Sequence, residues 1–569
     1  MSEQNNYLKI KNNVLSLINA EIENGQTIYN LSQYKNLNLW WFCHYDFVEN
    51  LLKLDESKTE SKAKNVKFQF FINSIPTFLF SFINILFDII RYAVSHLWAR
   101  EAELAKSCNR KNILFVSKDT MWRDKYDWLK KTSRRTDIFF DGIIDAESKS
   151  NSKKLNFTGT YPLIIYIYPF NKILRACRIT KEKTSSEAFD YVPFNYYWNI
   201  AAMKKERCAR KHFKGVWKKL SQSSVMNQML EEYDFDIRTV IRNKFKFYFL
   251  ALFPYVIKRT AIANNLLASM KPELTLYNNE YNTFERSLLI ASKQQGVPTA
   301  VIQHGEITPS HQGYMYVQDM IDAGGKPGSI NCPIPDRTFV WGEHYKKLLV
   351  AGGYPAETIE ITGSPKYDEM VDIKKNQDKE AVLREYNIDN RGRKIILWTT
   401  QCLGLVDEEN IRNFEAVKAV ANSLDALILI KQHPREATKY DEMIARYLLP
   451  HPNIQVLPKN AHTLSIINIS DIVITKFSTT AIEALAFDKN LIIMNLSTSE
   501  PDKVNYVKDG VALGAYNSQQ LIDSVKQFMK NKNCLRDRRE GYVENLLYKM
   551  DGNASERIAA AINQLLETV

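Results

Sequence analysis

The spacing of apolar and polar residues changes character twice along the chain. From Thr77 on, polar residues fall at Thr77, Ser81, Asn84, Asp88, Arg91 and Ser95. Steps of four and three trace one narrow stripe down a helix. The rest of its circumference is Phe, Leu, Ile, Tyr, Val and Ala, and residues 68–87 carry no charge. That is spanning length, but Gln69, Asn73, Ser74 and Pro76 interrupt it. The pattern fits a helix lying in a bilayer surface, or one in a protein core with a single wet edge. A second apolar run with basic ends, Lys244–Arg259, reads as a buried helix or as another patch facing anionic lipid.

From about residue 111 short apolar runs alternate with helical patterns. "NILFVS", "DIFFDGIID", "PLIIYIYP", "ELTLY", "TAVI", "RTFVWG" and "ETIEITG" read as strands, with a long, mostly helical insert before "ELTLY". A second series begins near Arg393 with "KIILWTT", "ALILIK", "IQVL", "DIVIT" and "NLIIMNL", and helices between them. Strands alternating with helices predict doubly wound parallel sheets. The expected architecture is α/β, with two Rossmann-like domains facing a cleft. We expect a helical N-terminal extension (1–110), a first domain (111–365), a nucleotide-binding second domain (366–530) and a helical tail (531–569). The stretch 517–569 reads as helical and able to cross back over the first domain.

Ligands of such sheets sit at the carboxyl ends of the strands, so the residues that follow strands are the ones to question. Three ends are chemically loaded. The first is Gln303, His304, Gly305 and Glu306. The second is Lys431, His433 and Arg435. The third is Lys476, Ser478, Thr479, Thr480 and Glu483. In the third, hydroxyls stand where a helix begins, so they either cap it or help cradle a phosphate. Glu483 sits where it closes a capping box or reaches a ribose. His304 titrates near neutrality and can take a hydroxyl proton. Gly305 beside it leaves room for a ligand. Glu280, after "LTLYNN", is a second candidate base.

Charge narrows the partners. Lys plus Arg is 76 against 64 for Asp plus Glu, a net +12, which favours anionic ligands such as nucleotides or phospholipid surfaces. The basic residues are dispersed and form no nucleic-acid module. Seven scattered cysteines without a CxxC pair fit reduced thiols of a cytosolic protein. The dispersed histidines give no metal site, and the first residues lack a signal-peptide core.

The segments "PTAVIQHGE", "WGEHYKKLLVAGG", "IEITGSPKYD", "ILIKQHPRE" and "SDIVITKFSTTAIEALAF" together resemble the GT-B glycosyltransferases of bacterial surface polysaccharide synthesis. That group includes capsule- and lipopolysaccharide-type enzymes, Kdo and sialic-acid transferases with HP and Ser/Thr motifs, and teichoic acid glycerophosphotransferases. The resemblance spans about residues 270–530. It implies inverting transfer from a nucleotide-sugar donor, such as a CMP-linked nonulosonic acid or Kdo, to a glycan or lipid-linked glycan. It implies no metal and no cofactor beyond the donor, and a peripheral position at the inner face of the cytoplasmic membrane. Lys431, His433, Ser478, Thr479 and Thr480 would hold the donor phosphate, with Arg435 beside them, and Glu483 the ribose or base. His304 or Glu280 would be the catalytic base. The alternatives are a UDP-GlcNAc 2-epimerase-like enzyme, a CDP-glycerol glycerophosphotransferase, and a non-catalytic lipid-binding scaffold.

Overall fold

The computed structural model describes residues 19–23, 25–47, 77–99, 111–118, 121–127, 132–149, 155–161, 190–231, 235–309, 326–402, 407–433, 436–497 and 504–567, with residues 311, 313, 314, 316, 405 and 502 beside them. Two all-parallel sheets organise it. The first contains β1 (Lys111–Val116), β2 (Leu155–Tyr161), β3 (Asp190–Pro193), β4 (Leu274–Tyr277), β5 (Thr299–Ile302), β6 (Arg337–Val340) and β7 (Ile359–Ile361). Their order is β7-β6-β5-β4-β1-β2-β3. The second contains β8 (Lys394–Thr399), β9 (Ala426–Lys431), β10 (Ile454–Val456), β11 (Ile472–Thr475), β12 (Asn490–Met494) and β13 (Leu513–Ala515), ordered β10-β9-β8-β11-β12-β13. Both follow the Rossmann sequence 3-2-1-4-5-6, the first with one strand more. The chain is therefore two Rossmann-like domains in a GT-B arrangement.

Alternation along each strand builds two cores per sheet. On β1, Ile113 and Phe115 face α2 (Phe140–Lys149) and the C-terminal helix, while Leu114 and Val116 face α4 (Phe253–Met270) and α5 (Thr283–Gln294). All six residues of β9 are buried, as a parallel strand covered on both sides requires. In the second domain Ile428 and Ile430 pack with Phe414 and Val417 of α7 (Asp407–Ser423), and Leu427 and Leu429 join the opposite core.

The last helices return to the first domain. Gly342 follows β6, and a Cβ there would stand 2.4 Å from the Asn545 carbonyl oxygen, so only glycine admits α9 (Arg536–Leu547). Asp368 of α6 (Pro365–Asn376) caps α10 (Ala554–Glu567) by accepting the Ala554 and Ser555 N–H groups at 3.0 and 2.9 Å. Ile558 and Ile562 of α10 then join Ile113 and Phe115 in one core.

Several expectations need correction. "DIFFDGIID" is not a strand. Asp137 accepts the N–H groups of Phe139 and Phe140 and starts α2. "PLIIYIYP" lies outside the described residues, while β2 just before it, β3 and β13 are strands that the apolar pattern does not signal. Residues 19–47 form two short hairpins and a 3-10 turn rather than helices alone. In Lys244–Arg259, Phe245, Tyr248, Phe249 and Phe253 are fully buried, so this run is core and not a lipid patch.

The stripe on α1 (Thr77–Ala99) turns out inverted. Asp88 and Ser95 are buried against the protein, whereas Ile85, Leu86, Ile89 and Ile90 are exposed. The stripe is polar because it meets charge inside. Lys258 of α4, 1 % exposed, is ion-paired to Asp88 and, at 2.9 Å, to Glu206 of α3 (Ile200–Gln222). Arg91 and Arg210 pair with the same two carboxylates at 3.3 and 2.5 Å. Among the described residues no helix is long and apolar enough to cross a membrane.

Candidate functional site

In each sheet the strand order reverses beside the first strand, which opens a crevice at the carboxyl ends. In the first domain that places Ser117 and Lys118 after β1 next to Asn278, Asn279, Glu280 and Tyr281 after β4, with Gln303 to Glu306 after β5.

His304 is partly exposed, and tyrosine hydroxyls flank both its ring nitrogens. Tyr314 Oη lies 3.3 Å from Nδ1 and Tyr281 Oη 3.5 Å from Nε2. His311 packs edge-on to Tyr281 and tilted against Tyr314. Gly313 lets this cluster close, since a Cβ there would meet the Tyr281 ring at 2.6 Å. Burial, helped by the charges of Lys118 and His311, pushes the imidazole down to about 4. At neutral pH it is therefore an uncharged proton acceptor.

Glu280 is fully buried. Tyr354 Oη donates to its Oε1 at 2.7 Å, and its Oε2 has no hydrogen-bond partner among the described residues. Burial pushes the carboxyl up to about 7, opposed by Tyr354 and Arg286. Its titration suits a base, but its enclosure separates it from solvent, and the groups beside the His304 ring nitrogens are tyrosine hydroxyls, not the Glu280 carboxyl. Lys118 forms a 2.6 Å ion pair with buried Glu285. Asn278 is fully buried, and neither its amide nitrogen nor its oxygen has a partner among the described residues. Buried amides are normally satisfied, so Asn278 marks the crevice. The strand-end rule that selects His304 would also have found Lys118 and Asn278.

Gln303 is structural. Its side chain donates to the Gly305 carbonyl at 2.8 Å and accepts the Trp341 N–H at 3.0 Å, tying β5 to β6. A Cβ on Gly305 would meet nothing within 4 Å, so that face is open. Glu306 is reached by solvent, yet the protein around it raises its carboxyl. Its charge bears on the hydroxyls of Tyr345 in the first domain, Tyr367 on α6, Tyr506 in the second domain and Tyr542 on α9. Glu306 thus stands where the domains meet.

In the second domain the crevice lies between β8 and β11. Gln401, which no sequence pattern points to, closes it. Its Oε1 accepts the backbone N–H groups of Lys476 and Phe477 at 2.8 and 2.7 Å. Glu436 acts in the same way on the neighbouring strand end, accepting from Thr400 Oγ1 and the Cys402 N–H at 2.7 and 2.9 Å.

The sequence-derived donor residues divide here. Lys431 is buried, and its ammonium donates to the backbone oxygens of Gln432 and Lys459 at 3.0 and 2.8 Å. It braces the strand end rather than offering a free charge. Lys476 is ion-paired to Glu409 of α7. Glu483 pairs with Lys366 of α6 at 2.8 Å, so it is held by a neighbouring helix here instead of standing open to a ribose. Ser478 Oγ accepts the Thr480 N–H at 3.2 Å, and Thr480 Oγ1 meets Thr399 Oγ1 at 3.1 Å. The Ser478 hydroxyl is thus engaged by the first N–H of the short helix α8 (Thr480–Ala486). His433 and Thr479 are exposed, and Arg435 lies outside the described residues. Among the described residues no group of three His, Cys, Asp or Glu side chains could hold a metal ion.

Residues 338–564 match the family model described as CDP-Glycerol:Poly(glycerophosphate) glycerophosphotransferase. The match covers the whole second domain and both of its strand-end clusters. No curated protein sequence matches the chain. Among solved structures it is similar to S. aureus MnaA with UDP (14 % identity, TM-score 0.47, 81 % of this chain and 98 % of that one). It is also similar to the UDP-GlcNAc 2-epimerase of Neisseria meningitidis bound to UDP-GlcNAc (15 %, 0.48, 80 % and 100 %). A third is the glycotransferase of kitacinnamycin (12 %, 0.45, 81 % and 100 %).

Proposed function

We propose that the protein is a transferase that moves a cytidine-nucleotide-activated group onto a hydroxyl of a surface-polymer acceptor and releases CMP. The observation that carries this reading is the glycerophosphotransferase family match over the second domain. Glycerophosphate transfer from CDP-glycerol is the first form of the reaction. Glycosyl transfer from a CMP-linked acidic sugar is the second, favoured by the HP and Ser/Thr segments. Both release CMP. The acceptor oxygen attacks phosphorus in one case and the anomeric carbon in the other, the bond to CMP breaks with its electrons, and the acceptor proton passes to His304. Exposed His433 and Thr479 are the candidate contacts for the nucleotide phosphate. A 2-epimerase would instead act on a uridine nucleotide.

A nucleotide screen by thermal shift separates these readings. A ligand at about 100 times its Kd adds about 2.7 kcal/mol of stability. CMP and CDP should stabilise the protein, and UMP and UDP should not. Stabilisation by UDP alone would sink the cytidine reading. His433→Ala should then weaken CMP binding by about 1.5–3 kcal/mol, the worth of a hydrogen bond to a charged group. Unchanged affinity by calorimetry would remove His433 from the site.

A further inference from the structure

The inverted stripe of α1 leaves an apolar face outward. Ile89 and Leu86 are 49 and 48 % exposed, and Ile90 and Ile85 39 and 36 %. Single exposed aliphatics need no explanation, but four on consecutive turns of one helix form a patch. The helix is not loosely attached. Its inner side is fixed by the Asp88–Lys258 ion pair, by Tyr92 against Trp198 at 5.3 Å and by His96 stacked on Tyr196 at 4.4 Å. The aliphatic face is thereby held outward.

What lies next to it identifies the occupant. Helix α3 meets the same Lys258 through Glu206, so α1 and α3 lie against one lysine and their other faces look away from α4. The outer face of α3 carries seven exposed cations between Lys204 and Lys219. Glu206, the one acid of that helix, is buried. At the start of α3, Ile200 is 61 % exposed, directly after the 3-10 turn that packs on α1. An aliphatic stripe and a strongly cationic face, on two helices that share one buried lysine, are complementary to a bilayer, whose acyl layer takes the stripe and whose anionic headgroups take the cations. A second protein chain would have to bury seven lysine and arginine charges or supply as many acids.

We infer that the α1–α3 face docks the protein flat on an anionic phospholipid surface. This holds whichever group the protein transfers. The full-length protein should float with vesicles of phosphatidylcholine and phosphatidylglycerol, and not with phosphatidylcholine alone. Ile89→Ser with Ile90→Ser, and separately Lys204→Glu, Lys211→Glu and Lys218→Glu together, should each cut partitioning by more than about tenfold. Both sets lie on exposed positions, so thermal unfolding and nucleotide binding should be unchanged. Three results would overturn the inference. One is no flotation with either vesicle. Another is flotation unaffected by both variant sets. The third is a concentration-dependent dimer that the isoleucine changes abolish, which would make a second copy the occupant.

Discussion

Replacing His304 with alanine lowers kcat by about 10²–10⁴-fold, the usual cost of a lost general base, and leaves nucleotide affinity nearly unchanged. A base acts mainly in the transition state, so its removal shows in turnover rather than in binding. The pH profile distinguishes it from Glu280. His304, pushed down to about 4, is already neutral at pH 5. With His304 as base the rate is level between pH 5 and 7 and falls only as the imidazole gains its proton below that range. Glu280, pushed up to about 7, would be ionised only above neutrality and would give a rate that climbs through pH 7. Steady-state rates for the wild type, His304→Ala and Glu280→Gln decide the matter. A limb near pH 7 that vanishes in Glu280→Gln transfers the role to Glu280. Should both variants keep more than a tenth of the wild-type rate, Glu306 becomes the residue to test.

Lys258→Met should cost about 3 kcal/mol of stability, the low end for breaking a buried ion pair. Burial alone would lower the lysine pKa, but Asp88 and Glu206 outweigh it and raise the value, so the ammonium is charged at neutral pH. Its removal leaves two carboxylates facing each other across the α1–α3 junction. Arg91 and Arg210 keep some of that charge neutralised, which is why the low end is expected. Adding Asp88→Asn and Glu206→Gln should recover most of the loss, because the uncompensated charge leaves with them. The lowest thermal transition is the measurement. A triple variant no more stable than Lys258→Met would show that packing, not charge, is at stake.

Five of the six strands of the second sheet are legible because each is a mainly apolar run bounded by turn residues. "ALILIK" cannot be amphipathic and must be covered on both faces. The strand Leu513–Ala515 escapes notice because "LGA" is too short and glycine-containing to signal anything. "DIFF" looks like a strand by composition, but the Asp at its start is a helix cap. At the candidate site, His304 is singled out by its place after a strand, and the structure leaves it partly exposed. Lys431, Lys476 and Glu483 look like free charges in the sequence because a sequence names donors without their partners. The partners lie far along the chain: the Lys459 carbonyl, Glu409 and Lys366. Gln401 is invisible for a related reason. Its role is to hold two backbone N–H groups about 75 residues away, which no local pattern encodes.

Because Ile558 and Ile562 of α10 complete the core that Ile113 and Phe115 begin, order of synthesis and order of folding differ. A ribosome finishes the entire second domain, and most of the helices that follow, before the first domain has its last wall. Until then the Ile113 face of β1 is open, and the nascent chain carries an uncovered apolar surface for the time taken to make more than 400 residues. The second domain, whose six strands lie within residues 394–515, needs nothing beyond its own span to close its sheet. It can therefore fold first, as an insertion inside an unfinished partner, and bring the chain end back to where the first domain waits. Loss of residues 558–569 would then damage the first domain more than the second.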